Sequence, residues 1–183
     1  MSELVTPSVI LQEVSQVIGK VDPQQYRQLK EMLKEPGRLF IFGEGRSGLL
    51  GRMIAMRLMH CGCEVFVVDE TITPSLAKED RLLVISGSGN SARIRDMAKK
   101  SEGVGYRIWL VTANGEALGE TWCEGGILIP AATRSRKTGE PGTIQPLGNQ
   151  FDQSAHLLLD ALVIDGPASG LDHQSLKDRH SNL

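Results

Sequence analysis

Arg38-Leu-Phe-Ile-Phe-Gly-Glu-Gly-Arg-Ser-Gly48 and Arg81-Leu-Leu-Val-Ile-Ser-Gly-Ser-Gly-Asn-Ser91 share one pattern, a short apolar run that ends in glycine and serine. A run that is apolar throughout, with no alternation, reads as a strand buried on both faces. A strand that turns through glycines into a helix aims unpaired backbone N–H groups, and the positive end of the helix dipole, at one point. The second loop adds the hydroxyls of Ser86, Ser88 and Ser91 to the amides of Gly87 and Gly89. This combination suits a phosphate group.

The same rhythm continues outward from these two stretches. Helices are expected over Ser8–Lys20 and from Pro23, capped by Asp22, to about Lys34. Strand Leu39–Phe42 leads into helix Gly48–Cys61, strand Glu64–Val68 and the turn Thr71-Ile-Thr-Pro74. Strand Leu82–Ile85, helix Ser91–Ser101 and strand Arg107–Thr112 follow. A short helix near Glu116–Cys123 and a strand Ile127–Ile129 complete the alternation. Apolar strands alternating with helices predict an α/β fold, a three-layer, doubly wound parallel sheet of about five strands. Ligands of such sheets bind at the C-terminal ends of the strands, where both glycine and serine loops lie. Pro130–Gly148 is expected as a long ordered loop, and connections of that length in compact domains are usually functional or disordered. Asn149–Ile164 is the most apolar helix, broken by Gly166-Pro167, and Asp172–His180 is expected as a short terminal helix. With no repeat and no composition break, residues 1–183 read as a single domain.

Composition narrows the partners. The chain has 183 residues, 40% hydrophobic and 23% charged, with a net charge of −2 and no basic block, which argues against nucleic acid. No apolar run approaches the roughly 20 residues that span a bilayer, and the start lacks the features of a signal peptide. Three cysteines without framework spacing point to a reducing compartment, with the cytoplasm as the default. His60-Cys-Gly-Cys63 lacks the paired spacing of a metal site and reads as a helix end followed by a strand start, so no metal is expected.

Gly43, Gly45 and Gly48 also satisfy the dinucleotide pattern G-x-G-x-x-G, with Asp69 and Glu70 near the place of a ribose-binding acid. That alternative leaves the richer loop, Ser86–Ser91, without a task. A phosphate in the second loop, with the rest of the molecule lying toward the first, uses both.

The two loops resemble those of the sugar isomerase (SIS) domain family, which binds phosphosugars on a flavodoxin-like fold. Gly45-Arg-Ser-Gly48, Ala55-Met-Arg-Leu-Met-His60, Glu70-Thr-Ile-Thr-Pro74, Ile144-Gln-Pro-Leu-Gly148 and the tail Arg179-His-Ser-Asn-Leu183 are similar, in order, to the 6-phospho-3-hexuloisomerase group of that family. The resemblance runs from about Leu39 to Leu183. It implies interconversion of D-arabino-hex-3-ulose 6-phosphate and fructose 6-phosphate through a cis-enediolate, in the ribulose monophosphate pathway, without a cofactor. It also implies a homo-oligomer, a tetramer with sites shared between subunits.

The resemblance assigns roles. Asp152 is the candidate base, at a position where the family typically carries a glutamate one methylene longer, and His180 in the tail is the second proton-transfer group. Ser86, Gly87, Ser88, Gly89 and Ser91 form the phosphate cradle. Gly45, Arg46 and Ser47, with Glu70, Thr73 and Gln145, are the candidate substrate contacts. A phosphosugar-binding sensor on the same fold would need the cradle but neither Asp152 nor His180. A sugar isomerase acting on another sugar phosphate is the remaining alternative.

Overall fold

The computed structural model describes residues 5–180 and residue 182; the tail motif's Ser181 and Leu183 lie outside the described residues. Five parallel strands, β1 (Leu39–Gly43), β2 (Val65–Val67), β3 (Arg81–Ile85), β4 (Arg107–Thr112) and β5 (Cys123–Leu128), form one sheet in the order β2-β1-β3-β4-β5. This is the flavodoxin-like order, and its topological switch point lies between β1 and β3. Residues 81–85 are buried along the whole of β3, whose Leu82–Ile85 are apolar, as a central strand covered on both faces requires.

Alternate strand residues serve two cores. Leu39, Ile41, Leu83, Ile85, Trp109 and Val111 pack against α2 (Pro23–Lys34), α3 (Arg46–His60) and α6 (Asn149–Asp165). Phe40, Phe42, Leu82, Val84, Ile108 and Leu110 pack against α4 (Ala92–Val104) and α5 (Gly115–Leu118). The outer helix α1 (Val5–Ile18) lies against α6, and α7 (His173–Lys177) closes the chain. The arrangement is the expected three-layer sandwich. Burying one large apolar side chain in either layer contributes about 1.5–3 kcal/mol.

The largest departure from the sequence reading is at β5. It starts at Cys123, not Ile127, and α5 is only Gly115–Leu118. The added length of β5 includes Gly125 and Gly126. They are glycines because a Cβ on Gly125 would lie 2.8 Å from the Trp109 ring, and one on Gly126 only 2.0 Å from the Leu110 carbonyl oxygen. The helix expected from Gly48 begins at Arg46, so Arg46 and Ser47 belong to its first turn. The terminal helix is shorter than expected and ends at Lys177.

Candidate active site

Gly43 pairs with Ile85, so β1 and β3 end level and their loops leave the sheet side by side at the switch point. After β1 the chain turns at once into α3, which presses on the strand end. A Cβ on Gly43 would meet the Ser47 backbone at 2.7 Å, and one on Gly48 would meet the Gly43 oxygen at 2.6 Å. Close helix-to-strand approach is therefore the task of the first and last glycines of the first loop. Both α3 and α6 begin at glycines, Gly45 and Gly148, with no side-chain cap, and both glycines line the same cleft. Two helix N-termini thus present positive ends to it.

The cleft has a volume of about 1030 Å3. Ser86, Gly87, Ser88 and Ser91 line it, with Gly45, Arg46, Ser47 and Asp152. Within the cradle, Ser86 Oγ lies 3.5 Å from Ser88 Oγ and accepts from the Gly89 amide at 3.2 Å. Ser91 caps α4 by accepting from Ile94 N at 3.3 Å, which leaves its hydroxyl proton for another acceptor. Gly89 is buried behind the loop at φ +64°, where a Cβ would meet Ala117 Cβ at 2.7 Å and Thr112 Oγ1 at 2.8 Å. Its role is to shape the cradle from behind. Thr112 Oγ1 and Asn114 Nδ2 brace it further, donating to the carbonyls of Gly87 and Ser88 at 3.3 and 2.9 Å.

Asp152, which lines the same cleft, occupies the first turn of α6. Arg46 Nε donates to Asp152 Oδ2 at 2.7 Å, and Ser47 Oγ lies 3.5 Å from Oδ1. Arg46 Nη2 donates to Asn149 Oδ1. One guanidinium therefore joins two side chains that stand one helical turn apart on α6.

Three other candidates sit away from the cleft. Glu70 pairs with Arg52 at 2.8 Å on the β2 side of the fold, and Thr73 Oγ1 donates to the Val67 carbonyl. Gln145 is only 2% exposed and is enclosed by polar partners, Glu13 and Asn149, so its side chain does not line the cleft. Sequence reasoning missed Asn149, although its place one turn before Asp152 on the same helix face was legible. It also missed Glu13, for which no local signal exists.

Glu13 accepts from Thr143 Oγ1, from Ile144 N at 2.9 Å and from Gln145 Nε2 at 2.9 Å. Burial works against its charge. The bonds from Thr143, Gln145 and Ile144, with the Arg136 charge, outweigh that and hold the carboxyl below the ordinary glutamate range. The loop after β5 is further closed by Glu140, which accepts from Thr133 N and Oγ1 at 2.8 and 2.6 Å, and by Arg136 donating to the Gln145 carbonyl at 2.5 Å.

His180 lies at the opposite end of the molecule from its own cleft. Its ring stacks on His60, with centroids 5.1 Å apart and planes at 26°. His60 ends α3, whose 15 residues span roughly 22 Å from the cleft. Burial, then the neighbouring His180 and Arg57 charges, push the His60 imidazole below its ordinary pKa. Cys61, Cys63 and Cys123 are free thiols, and burial raises the pKa of each. Among the described residues, no group of three or more His, Cys, Asp or Glu is arranged to hold a metal ion. No helix among them is long and apolar enough to cross a membrane.

No family model matches the chain. Its relatives and structural neighbours place it clearly all the same. The fold is that of the sugar phosphate isomerases: the chain superposes with a TM-score of 0.78, at 26% identity over 97% of its length and 98% of the neighbour's, on a Methanococcus jannaschii protein whose crystal structure is described as inferring a 3-hexulose-6-phosphate isomerase. A crystal structure described only as that of a hypothetical protein superposes with a TM-score of 0.84, at 28% identity, covering 97% of this chain and 95% of that one. In sequence, the chain is 36% identical over 181 residues to the 3-hexulose-6-phosphate isomerase of Mycobacterium gastri, covering 96% of this chain and 88% of that protein. The enzyme of the same name from Bacillus subtilis is 31% identical, with 95% of each chain covered. The chain belongs to the 3-hexulose-6-phosphate isomerase family.

Proposed function

We propose that this chain interconverts D-arabino-hex-3-ulose 6-phosphate and fructose 6-phosphate, the step implied by a place in the ribulose monophosphate pathway. The observation that supports it best is the Arg46–Asp152 pair, which lines one cleft together with the serine cradle. Ser86, Ser88 and Ser91, with the Gly87 amide, take the phosphate. The sugar lies toward α3 and α6.

The Asp152 carboxylate removes the proton from C2, and the electron pair of that C–H bond becomes the C2–C3 double bond of a cis-enediolate. The former C3 carbonyl oxygen takes up a proton, the C2 hydroxyl gives one up, and the Asp152 carboxyl returns its proton to C3. Carbonyl and C–H have then exchanged places with no net gain or loss of protons or electrons. Negative charge develops on the enediolate oxygens beside the Arg46 guanidinium, where it is stabilised most.

His180 serves the cleft of a neighbouring subunit, since its own lies beyond the length of α3. A homo-oligomer, a tetramer built from dimers, is supported by an uncovered stripe on α3. There Leu49, Met53, Met56 and Met59 are 61, 45, 48 and 40% exposed at near-helical spacing. Glu70 and Thr73, beyond β2, are contacts of that assembly. Three free thiols agree with the cytoplasm.

The test supplies hexulose 6-phosphate through its synthase and follows fructose 6-phosphate by a coupled assay. Asp152→Asn loses about 10^2- to 10^4-fold in kcat, the usual contribution of a general base, and still binds fructose 6-phosphate. A wild-type protein that binds the phosphosugar without turning over hexulose 6-phosphate is a sensor or another isomerase.

A further inference from the structure

We propose that Glu13, on the outer helix α1, is a positioning residue for the active site, acting by setting the direction of a chain of side-chain amides that ends on Arg46. The inference rests on the isomerase reading of the cleft. Its basis is the polarity of four consecutive hydrogen bonds.

A carboxylate only accepts hydrogen bonds. Gln145 must therefore turn its NH2 group to Glu13, and does so at 2.9 Å. That leaves its amide oxygen facing the other way, where it accepts from Asn149 Nδ2 at 2.9 Å. Asn149 has then committed its NH2 group, and its oxygen is the atom that meets Arg46 Nη2. The same guanidinium donates through Nε to Asp152 at 2.7 Å. Each amide has one donor end and one acceptor end, so the negative charge of Glu13 decides which end every later member shows. Were Gln145 and Asn149 to flip, an NH2 group would face the guanidinium, donor against donor, and Arg46 would lose its second anchor.

The site of the first link suits this task. Gln145 is 2% exposed, so water does not compete for its amide. Glu13 holds three consecutive residues of the loop, Thr143, Ile144 and Gln145, through both carboxylate oxygens, and Arg136 donates to the Gln145 carbonyl at 2.5 Å. The charge is thus fixed at the start of the chain across 130 or more residues of sequence.

The decisive experiment is a swap. Glu13→Gln keeps shape and volume but removes the charge that orders the chain. In the double variant Glu13→Gln/Gln145→Glu, the new amide donates to the new carboxylate, which still accepts from Asn149, so Asn149 keeps its oxygen on Arg46. Kinetics of fructose 6-phosphate formation are read with the side-chain amide resonances of Asn149, which report its orientation without turnover. Glu13→Gln lowers kcat about tenfold or more, in keeping with the sensitivity of catalysis to small misplacements. KM stays within about twofold, because the serine cradle is untouched. The Asn149 resonances shift, and the double variant restores both readouts. Unchanged kcat in a Glu13→Gln protein beside an active wild type overturns the proposal, as does a double variant no better than the single one. Inactivity of the wild type overturns the isomerase reading instead, and the Asn149 resonances then decide the relay by themselves.

Discussion

Arg46 Nε donates to Asp152 Oδ2 at 2.7 Å and joins the first turn of α3 to the first turn of α6 across 106 residues of sequence. The contact puts a carboxylate and a guanidinium on the wall of the cleft that Ser86, Gly87, Ser88 and Ser91 also line. In the proposed reaction these groups supply a proton acceptor, a stabiliser of developing oxyanion charge and a phosphate seat.

Arg46→Lys tests the geometry of that contact. A lysine is a single compact charge and cannot hold Asp152 and Asn149 together as the planar fork does. We expect kcat/KM to fall about tenfold or more. Arg46 is 62% exposed, so unfolding free energy changes by less than about 0.5–1 kcal/mol, measured by denaturant titration. A large loss of stability with full activity would reverse the assignment.

Gly89→Ala tests the support behind the cradle. The residue sits at φ +64°, and its new Cβ would overlap Ala117 and Thr112 at under 3 Å. Strain and overlap together cost about 2–4 kcal/mol. Thermal melts with and without fructose 6-phosphate should show a lower Tm and little ligand-induced rise.

Mixing subunits tests where His180 acts. Asp152→Asn and His180→Gln proteins are each expected to be inactive alone. When they are unfolded and refolded together, some clefts combine an intact Asp152 with an intact His180 from a neighbour, and part of the activity returns. Light scattering on the same samples should show an oligomer. A monomer, or no recovery in a mixed oligomer, rules out the shared site.

The His60–His180 stack predicts a dependence on pH. Burial first, and then the His180 and Arg57 charges, depress the His60 pKa from its ordinary 6.5 in the folded protein. The unfolded chain therefore binds protons more readily than the native one. The stability linked to His60 is complete above about pH 6.5 and is lost as the pH falls through the lower folded value. Melting temperatures recorded from pH 8 to 5 should decline below 6.5, and His60→Asn should flatten that part of the curve.

Not every element was equally legible. β5 begins at Cys123 rather than Ile127, and its Gly125 and Gly126 are demanded by the Trp109 ring and the Leu110 carbonyl, neither of which is near in sequence. Gln145 belonged to a recognisable motif, yet its side chain is turned away from the cleft toward Glu13.

What the sequence by itself determined is everything written in local pattern. Runs such as Leu39–Phe42 and Leu82–Ile85 must be buried on both faces, the glycines and serines after them must turn into helices, and the alternation of the two elements makes a parallel sheet with its loops at one edge. Those features depend on neighbouring residues and on the backbone's few allowed conformations. Only the tertiary structure decided that Asp152 meets Arg46, that Glu13 governs the direction of the Gln145 and Asn149 amides, and that His180 stacks on His60 far from its own cleft. Arg46–Asp152, Glu13–Gln145 and His60–His180 are contacts between segments roughly 100 or more residues apart. Such pairings are set by how whole helices and loops pack on the sheet, and a polar side chain carries no mark in the sequence of the partner that packing will bring to it.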